Sequence, residues 1–591
     1  MAGARGSFLD SRLPDTKNGR RMMTLSPEKK IAGLLAPVST LRGDDDLGVG
    51  DTAAVVELAR WAAKKGFGLI QVLPLNETGS DHSPYNIISS MAYEPATITT
   101  TPGWIPELSP GEFEAITARH EVSQLRIGPV RYAAVKALKR ELLEAAFKKL
   151  RSRSGDRARV RALAKFEKEE SDWLAPYGLF RALVAWNGNS EVTSNWPDEH
   201  RTPETARRWA DALPATPRRR FRELVRFFCY VQWIAHTQWK TVRDACEKAG
   251  VALMGDIPVG VSLFSADVWE QPGIFDLTRS SGAPPEKVFK SDPFTEKWGQ
   301  NWGFPLYNWQ AMSHDNFSWW RRRLRGARDV FHFLRVDHAL GFFRIYSFPW
   351  RPEENARFTD LAPDQARELT GGRLPGFVER DDSSEPNREL NRLQGEMLLR
   401  VFLEETGPHR LVAEDLGEVA PYVRPTLAAL EVPGFKIPQW ERNEPDGAMI
   451  PGADYQRLSL ATFATHDHPP IRQFWEEWVA AVSDPATRAP ALRSMREMLD
   501  FCGRPDIPVP QEFTPEVHAT LLRGLFACNS WLAVPQITDL FGLRDRFNVP
   551  GAVGDTNWTA RIFGRIRDWD AGYADAISAA AAALKATGRL L

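Results

Sequence analysis

Cysteine is scarce in this 591-residue chain, which contains only Cys229, Cys246, Cys502 and Cys528. These residues are far apart and form no CxxC pair, so the sequence shows neither a disulfide framework nor a zinc-binding pattern. No segment reaches the roughly 18 consecutive apolar residues that a membrane-spanning helix requires. Together these absences predict a reduced, cytosolic globular protein that is not anchored in a membrane.

Net charge is also nearly absent, because 75 Lys and Arg residues balance 76 Asp and Glu residues. Such a chain has no long-range field that would attract nucleic acid or anionic lipid. A basic cluster between Arg151 and Arg161 lacks interleaved aromatic residues and has Glu neighbours, which favours a solvated helix face over an RNA-binding surface. We therefore expect neither nucleic-acid nor membrane partners.

Tryptophan, in contrast, is abundant, with 21 residues. Indole faces stack well on the apolar face of a sugar ring, although most tryptophans in any protein simply fill its core.

At the N-terminus, no apolar stretch follows Arg20-Arg21, and Asp10 and Asp15 are atypical of a transit peptide. We interpret residues 1–30 as a flexible lead-in without function.

Short apolar segments that end in polar residues, Gly or Pro recur along the rest of the chain and predict buried strands. The eight segments are Gly33–Thr40, Gly68–Leu75, Ala252–Val259, Phe333–Leu340, Arg410–Gly417, Gly434–Trp440, Leu458–Asp467 and Trp531–Leu540. Helical patterns separate them, for example Thr52–Lys65, which follows Asp51 as a cap. Eight strands alternating with helices predict an α/β fold, a (β/α)8 TIM barrel.

The connections between the predicted strands are uneven in length. Residues 76–251 are far longer than one helix requires, and their apolar residues recur at helical spacing over 129–150 and 157–173. We predict one catalytic barrel over residues 31–591, interrupted by a mainly helical subdomain at 76–251 and by smaller insertions within 260–332 and 468–530. The chain ends in helix formers around Ala579–Leu584, and we expect no C-terminal β-sandwich domain.

Carboxylates fall at the C-terminal ends of four predicted strands, where catalytic groups of this fold lie. They are Asp256, Asp337, Glu414 and Asp467. Mutual repulsion and desolvation make such a cluster unfavourable for stability alone. Several acids at one barrel mouth, without a cysteine or metal pattern, point to paired-carboxylate chemistry on a glycosidic bond.

Local spacing suggests a role for each acid. Strand alternation places Arg335 on the face of Asp337, where its charge favours the ionised form that a nucleophile needs. Glu414 ends an apolar strand, so we expect a raised proton affinity that suits a general acid. His466 and Asp467 are expected to hold sugar hydroxyls, and Asp467 to stabilise an oxocarbenium-like transition state.

Two alternatives concern neighbouring residues. Asp415 would face the helical layer, and a structural role as helix cap or ion-pair partner is favoured over catalysis. His338, His466 and His468 do not follow a metal-binding spacing, so we expect no metal site.

Four segments resemble the blocks shared by the α-amylase clan, namely residues 255–269, 333–345, 412–417 and 464–470. Further segments resemble its amylomaltase branch, glycoside hydrolase family 77, whose members are 4-α-glucanotransferases. These are QVLPLNETGSDHSPYNIISSMAYEP at 71–95, GAPPEKVF at 282–289, GQNWGFPLYNW at 299–309 and FNVPGAVGDTNW at 547–558. The resemblance runs from about Ile31 to Phe563. It departs from the family at His468-Pro469-Pro470, where many members have Asn-Asp-Thr, and at Ala339-Leu340, where Phe-Arg is common.

The resemblance implies a retaining transfer of α-1,4-glucan segments between maltooligosaccharides or to glucose, with no metal or organic cofactor. It implies Asp337 as nucleophile, Glu414 as acid/base and Asp467 as transition-state stabiliser. The residues that it implies for substrate binding are Tyr85, Asp256, Trp302, Arg335, His466 and Asn548. We expect the carboxyl groups of Asp337 and Glu414 to lie about 5–5.5 Å apart. The competing hypotheses are an α-amylase-like hydrolase and a catalytically inactive glucan-binding protein.

Overall fold

The computed structural model describes residue 23 and residues 25–285, 292–443, 446–550 and 556–591. Most of the predicted lead-in, residues 1–22 and 24, lies outside this part of the chain. Its last residues contact the end of the barrel opposite the predicted site, where Arg457 donates a hydrogen bond to the carbonyl oxygen of Pro27 at 2.7 Å. Within the described residues, no helix is long and apolar enough to cross a membrane.

Eight parallel strands form a nearly closed barrel, which confirms the predicted (β/α)8 fold. The strands are β1 Ile31–Leu35, β2 Leu69–Gln71, β3 Ala252–Ile257, β4 Phe333–Val336, β5 Leu411–Ala413, β6 Gly434–Lys436, β7 Ser459–Ala461 and β8 Leu532–Ala533. Their hydrogen-bonded order is β5-β4-β3-β2-β1-β8-β7-β6. Seven of the eight lie within the predicted segments, and β1 starts two residues before its segment, at Ile31. Each strand is shorter than predicted, because the C-terminal part of its segment leaves the sheet for a loop or a short helix, such as Ile537–Phe541 after β8.

Each strand contributes an inward-facing apolar side chain to one buried cluster inside the barrel. Its members include Leu35, Leu69, Ala252, Met254, Phe333, Val412, Phe435, Leu460 and Leu532. Side chains alternate between the two faces of a strand, so a residue two positions after one of these points toward the barrel axis as well. This core layer therefore supports whatever side chains follow it at the C-terminal ends of the strands.

Residues 76–251, all of which the structure describes, contain seven α-helices. These are Pro110–Arg119, Val122–Leu125, Tyr132–Arg151, Arg157–Glu169, Ser171–Trp186, Pro203–Ala212 and Ala215–Ala249. The helix predicted over 157–173 is interrupted, because Glu170 leaves helical geometry before Ser171 starts a second helix that continues to Trp186. The predicted helix at Thr52 runs to Lys64, with Asp51 accepting from the Ala54 N–H at 3.2 Å.

The rest of the chain carries further helices, the longest of which is Glu385–Thr406. They are Ala266–Glu270, Pro293–Trp298, Trp309–Ser313, Ser318–Arg328, Asn355–Phe358, Pro363–Leu369, Glu385–Thr406, Val423–Ala429, Ile471–Ala481, Arg488–Phe501, Pro515–Ala527, Ile537–Phe541, Trp569–Gly572 and Ala574–Ala586. Two small antiparallel sheets also lie beside the barrel mouth. One pairs Phe275–Asp276 with Leu306–Tyr307, and the other contains Ser280–Ala283, Gln300–Asn301, Ile345–Phe348 and Gly376–Val378. The sequence pattern did not predict these sheets, whose strands are short and come from separate parts of the chain.

Candidate active site

Two of the predicted acids, Asp256 and Glu414, and the predicted Arg335 lie directly above the barrel core because of strand alternation. Asp256 follows Met254 by two positions, Glu414 follows Val412 by two, and Arg335 follows Phe333 by two. All three therefore point toward the barrel axis. The fold thus brings charged groups from three strands to one point at the mouth of the barrel.

Arg335 is the centre of this cluster and is 3% exposed. Its Nη1 lies 2.7 Å from both carboxylate oxygens of Asp256 and 3.0 Å from Oδ1 of Asp337. Its Nη2 lies 3.9 Å from Oε2 of Glu414. One guanidinium therefore contacts three carboxylates, and the predicted pairing of Arg335 with Asp337 is present.

Glu414 is held by two backbone donors. The N–H of His338 donates to its Oε2 at 2.8 Å, and the N–H of Leu416 donates to its Oε1 at 3.0 Å. His338 adopts a left-handed backbone conformation, with φ of 43°, that is uncommon outside glycine and often marks functional sites. Burial raises the pKa of Glu414 to about 8, with Asp337 adding to the effect and Arg335 opposing it. This carboxyl group carries a proton at neutral pH.

Tyr85 connects the cluster to the end of β7. Its hydroxyl donates to Oδ2 of Asp256 at 2.7 Å, and its ring stacks on that of His466 with centroids 4.8 Å apart. Nε2 of His466 lies 3.3 Å from Oδ2 of Asp467, and the amide of Asn548 donates to Oδ1 of Asp467 at 2.6 Å. These contacts link residues that are distant in sequence.

Asp256 and Asp467 differ in proton affinity. Burial raises the pKa of Asp256, against the opposing charge of Arg335. Burial would likewise raise the pKa of Asp467, but His466 and the amide of Asn548 outweigh it and hold that pKa well below its usual value. Asp467 is therefore ionised at neutral pH, while its side chain remains 38% exposed.

A cavity of about 450 Å³ opens beside Asp467. Trp302 lines it and meets the ring of His338 edge to face, with centroids 4.9 Å apart. Through His338, Trp302 adjoins both Asp337 and Glu414. All nine residues that the sequence predicts for the site thus belong to one region, eight in direct contact with another member and Trp302 through His338.

Some contributors were missed by the sequence analysis. Trp558 packs beside the Tyr85–His466 stack, with its centroid 6.0 Å from Tyr85 and 5.7 Å from His466. Arg546 donates to the backbone carbonyl of Asp467. Both lie near or in the segment 547–558, whose resemblance to the family was the available signal, but no local spacing reveals contacts across 79 or more residues.

Asp415 faces away from the cluster, as predicted. It accepts from the N–H of Phe435 at 2.7 Å and pairs with Arg424 at 3.1 Å. Its role in the structure is therefore to join β5 to β6 and to the following helix. No group of three or more His, Cys, Asp or Glu side chains that could hold a metal ion occurs in the described parts of the chain.

Comparison of the chain with known proteins identifies its family. Residues 36–565 match the 4-alpha-glucanotransferase family. The chain belongs to this family. That membership confirms the predicted family and favours the predicted glucan transferase over an α-amylase-like hydrolase.

Individual members of the 4-alpha-glucanotransferase family support the assignment. The 4-alpha-glucanotransferase of Chlamydia pneumoniae is 30% identical over 551 residues, which cover 90% of this chain and 91% of the relative. The structure of an amylomaltase from Streptococcus agalactiae in complex with acarbose superposes with a TM-score of 0.71 at 22% identity, covering 95% of this chain and all of that one. The amylomaltase of Corynebacterium glutamicum has a TM-score of 0.73 at 21% identity, covering 94% of this chain and 75% of its own. At these identities the structures establish the fold.

Proposed function

We propose that this chain is a retaining 4-α-glucanotransferase that moves α-1,4-glucan segments between maltooligosaccharides or to glucose. The observation that carries the proposal is the convergence of Asp337, Glu414 and Asp467 around Arg335 and His466. The reaction requires no metal or organic cofactor. We also place the enzyme in the cytoplasm, which its four free cysteines support.

In the first step, Glu414 donates its proton to the glycosidic oxygen as the bond between that oxygen and the anomeric carbon breaks. A carboxylate oxygen of Asp337 attacks the same carbon and forms a covalent glycosyl ester. The pKa of about 8 leaves Glu414 protonated at neutral pH, as a general acid must be. Arg335 donates a hydrogen bond to Oδ1 of Asp337 at 3.0 Å and so holds the attacking carboxylate in place.

Positive charge develops on the sugar ring between these states. The ionised carboxylate of Asp467 supplies an opposite charge that is fixed in place by His466 and Asn548. Tyr85, stacked on His466, presents an aromatic face where the reacting sugar would lie. These contacts hold the groups in position before the substrate binds, so little reorganisation is needed during the reaction.

In the second step, the 4-hydroxyl of an acceptor sugar attacks the anomeric carbon and the ester bond to Asp337 breaks. The carboxylate of Glu414 takes the proton from that hydroxyl and returns to its starting form. Transfer exceeds hydrolysis when the acceptor displaces water, and stacking of the acceptor on Trp302 would favour this. The expected separation of about 5–5.5 Å between the carboxyl groups of Asp337 and Glu414 remains a prediction.

Incubation with maltotriose tests the proposal. A transferase yields glucose together with a ladder of longer oligosaccharides while the total number of reducing ends stays constant. An α-amylase-like hydrolase yields only shorter products, and reducing ends accumulate. An inactive glucan-binding protein would leave maltotriose unchanged, and either of these last two results would contradict the proposal.

A further inference from the structure

The segment 465–471, which follows β7, carries His466 and Asp467 of the site and leads into the helix Ile471–Ala481. Pro470 occupies the capping position before this helix and has no side-chain oxygen that could accept a hydrogen bond from the first turn. The first residue of the helix is fully buried, so solvent does not satisfy its N–H group. The end of the segment therefore needs an acceptor from elsewhere in the chain.

Asp539, in the short helix that follows β8, supplies this acceptor. Its Oδ1 accepts from the N–H of Ile471 at 2.7 Å, and its Oδ2 accepts from the N–H of Gln536 at 3.2 Å. Asp539 is completely buried, and burial raises its pKa to about 7 against the effect of the two N–H groups. Because a buried carboxylate is stable only when it is hydrogen-bonded, the carboxylate and its two donors hold one another in a single arrangement.

Gln536 extends this connection to the other end of the segment. It is 2% exposed, and its side-chain amide donates to the carbonyl oxygen of Thr465 at 3.1 Å. The hydroxyl of Thr465 in turn accepts from the N–H of Asp467 at 3.4 Å. Asp539 therefore acts on both ends of the segment, directly at one and through Gln536 at the other.

The contacts of Asp539 differ in kind from those within the site. His466 and Asn548 orient the carboxylate of Asp467 itself. Asp539 and Gln536 instead fix the backbone of the segment relative to the end of β8. Asp539 does not line the active-site cavity, so its effect on the reaction has to pass through the segment.

We propose that Asp539 is a positioning residue for Asp467, because it holds the segment that presents Asp467 to the reacting sugar. This inference rests on the proposed transferase function, in which Asp467 stabilises the positive charge of the transition state. An interaction that matters in the transition state affects kcat more than KM. Loss of Asp539 should therefore lower kcat with little change in the KM for the donor.

A double-mutant cycle with α-maltotriosyl fluoride as donor and maltose as acceptor tests whether Asp539 acts through Asp467. In Asp539→Asn, one oxygen can still accept from Ile471, but an amide N–H faces the N–H of Gln536. We expect kcat to fall roughly 10- to 100-fold, because misplacing a catalytic group by about 1 Å costs this much, and the donor KM to change less than about two-fold. In the Asp467→Asn background the same substitution should lower kcat less than about three-fold, because the carboxylate that it positions is absent.

Gln536→Met tests the inference at the other end of the segment and keeps it testable if Asp539→Asn does not fold. The substitution removes the donor to Thr465 at similar side-chain volume. It should lower kcat roughly ten-fold in the wild-type background and less than about three-fold in the Asp467→Asn background.

Asp51→Asn is the matched control, because Asp51 is also a buried aspartate that accepts from the first turn of a helix, at the N–H of Ala54. It should lower the melting temperature but leave kcat within about two-fold. A loss of kcat in Asp51→Asn equal to that in Asp539→Asn, or effects of Asp539→Asn and Asp467→Asn that simply multiply, would overturn the positioning role. If Asp467→Asn itself keeps the wild-type kcat, the role of Asp467 in the proposed function fails instead, so the two failures are distinguishable.

Discussion

Two buried arginines lie at opposite ends of the barrel and have opposite kinds of partner. Arg335, at the mouth, contacts the carboxylates of Asp256, Asp337 and Glu414. Arg589, at the other end, is 1% exposed and donates to five backbone carbonyl oxygens. Those oxygens belong to Phe526, Cys528, Ser530, Trp531 and Ile31.

The partners of Arg335 serve the proposed chemistry, whereas those of Arg589 serve stability. Around Arg335, burial raises the pKa of Asp256 and of Glu414, so ionising those acids in the folded protein is unfavourable. Around Arg589, all five acceptors are satisfied and join the C-terminal segment to β1 and to the approach to β8. We expect substitutions at the mouth to remove activity and substitutions at the opposite end to remove stability.

The largest effect is expected for Asp337→Asn. Loss of the nucleophile should reduce the rate of transfer roughly 10^4-fold or more, as removal of a catalytic side chain commonly does. Its melting temperature should stay near that of the wild type, because one carboxylate is removed from a crowded acidic cluster and Arg335 keeps its contacts with Asp256. Asp415→Asn is the matched control, a neighbouring buried acid that should keep activity within about ten-fold. Comparable losses in both variants would show that the assay reports on folding rather than on the nucleophile.

Arg589→Ala is expected to have the next largest effect. Removing five hydrogen bonds from a charged donor and leaving buried carbonyl oxygens unpaired should lower the free energy of unfolding by about 3–4 kcal/mol. Below its melting temperature the variant should keep a near-normal kcat. Thermal and urea unfolding measure the effect, and Arg567→Ala, at a largely exposed ion pair, should change stability by about 0.5 kcal/mol or less. If folded Arg589→Ala loses kcat below its melting temperature, the opposite end of the barrel also serves activity, and the proposed difference between the two ends is wrong.

The next effect in size is the dependence of kcat/KM on pH. Glu414 must be protonated to act as the acid, and its pKa is about 8. The value of kcat/KM should therefore fall with rising pH above about 8, approaching ten-fold per pH unit. Measurement of the initial rate with a donor fluoride, which needs little acid assistance, should show a weaker alkaline decrease. The same decrease with both donors would assign it to another group.

Much of the fold and of the site follows from local sequence patterns. The eight strands were predictable because buried parallel strands are continuous apolar runs, and strand alternation then places Arg335, Asp337 and Glu414 on one face. The outward position of Asp415 follows from the same alternation. These inferences need only the residues within one strand.

Contacts between distant segments were not predictable in this way. Arg589 reaches the carbonyl of Ile31 across 558 residues, and Trp440 meets His468 across a loop whose path no periodicity describes. Periodicity also does not reveal that Glu170 interrupts a predicted helix, because apolar residues continue at helical spacing on both sides of it. Such features depend on tertiary packing, which outweighs local preference.

The smallest expected effect is on the pH dependence of stability. It concerns Glu414, a residue that affects both activity and stability. The folded protein keeps the proton of Glu414 to about pH 8, whereas the unfolded chain loses it near 4.5. The native state thus binds more protons in that window, and wild-type stability should fall as pH rises from 4.5 to 8. Glu414→Gln cannot ionise, so its stability relative to that of the wild type should rise as the pH increases from 5 to 8, although the variant is inactive. Unfolding experiments at both pH values measure this rise, and an equal difference in stability at both would mean that packing, not ionisation, is its cause.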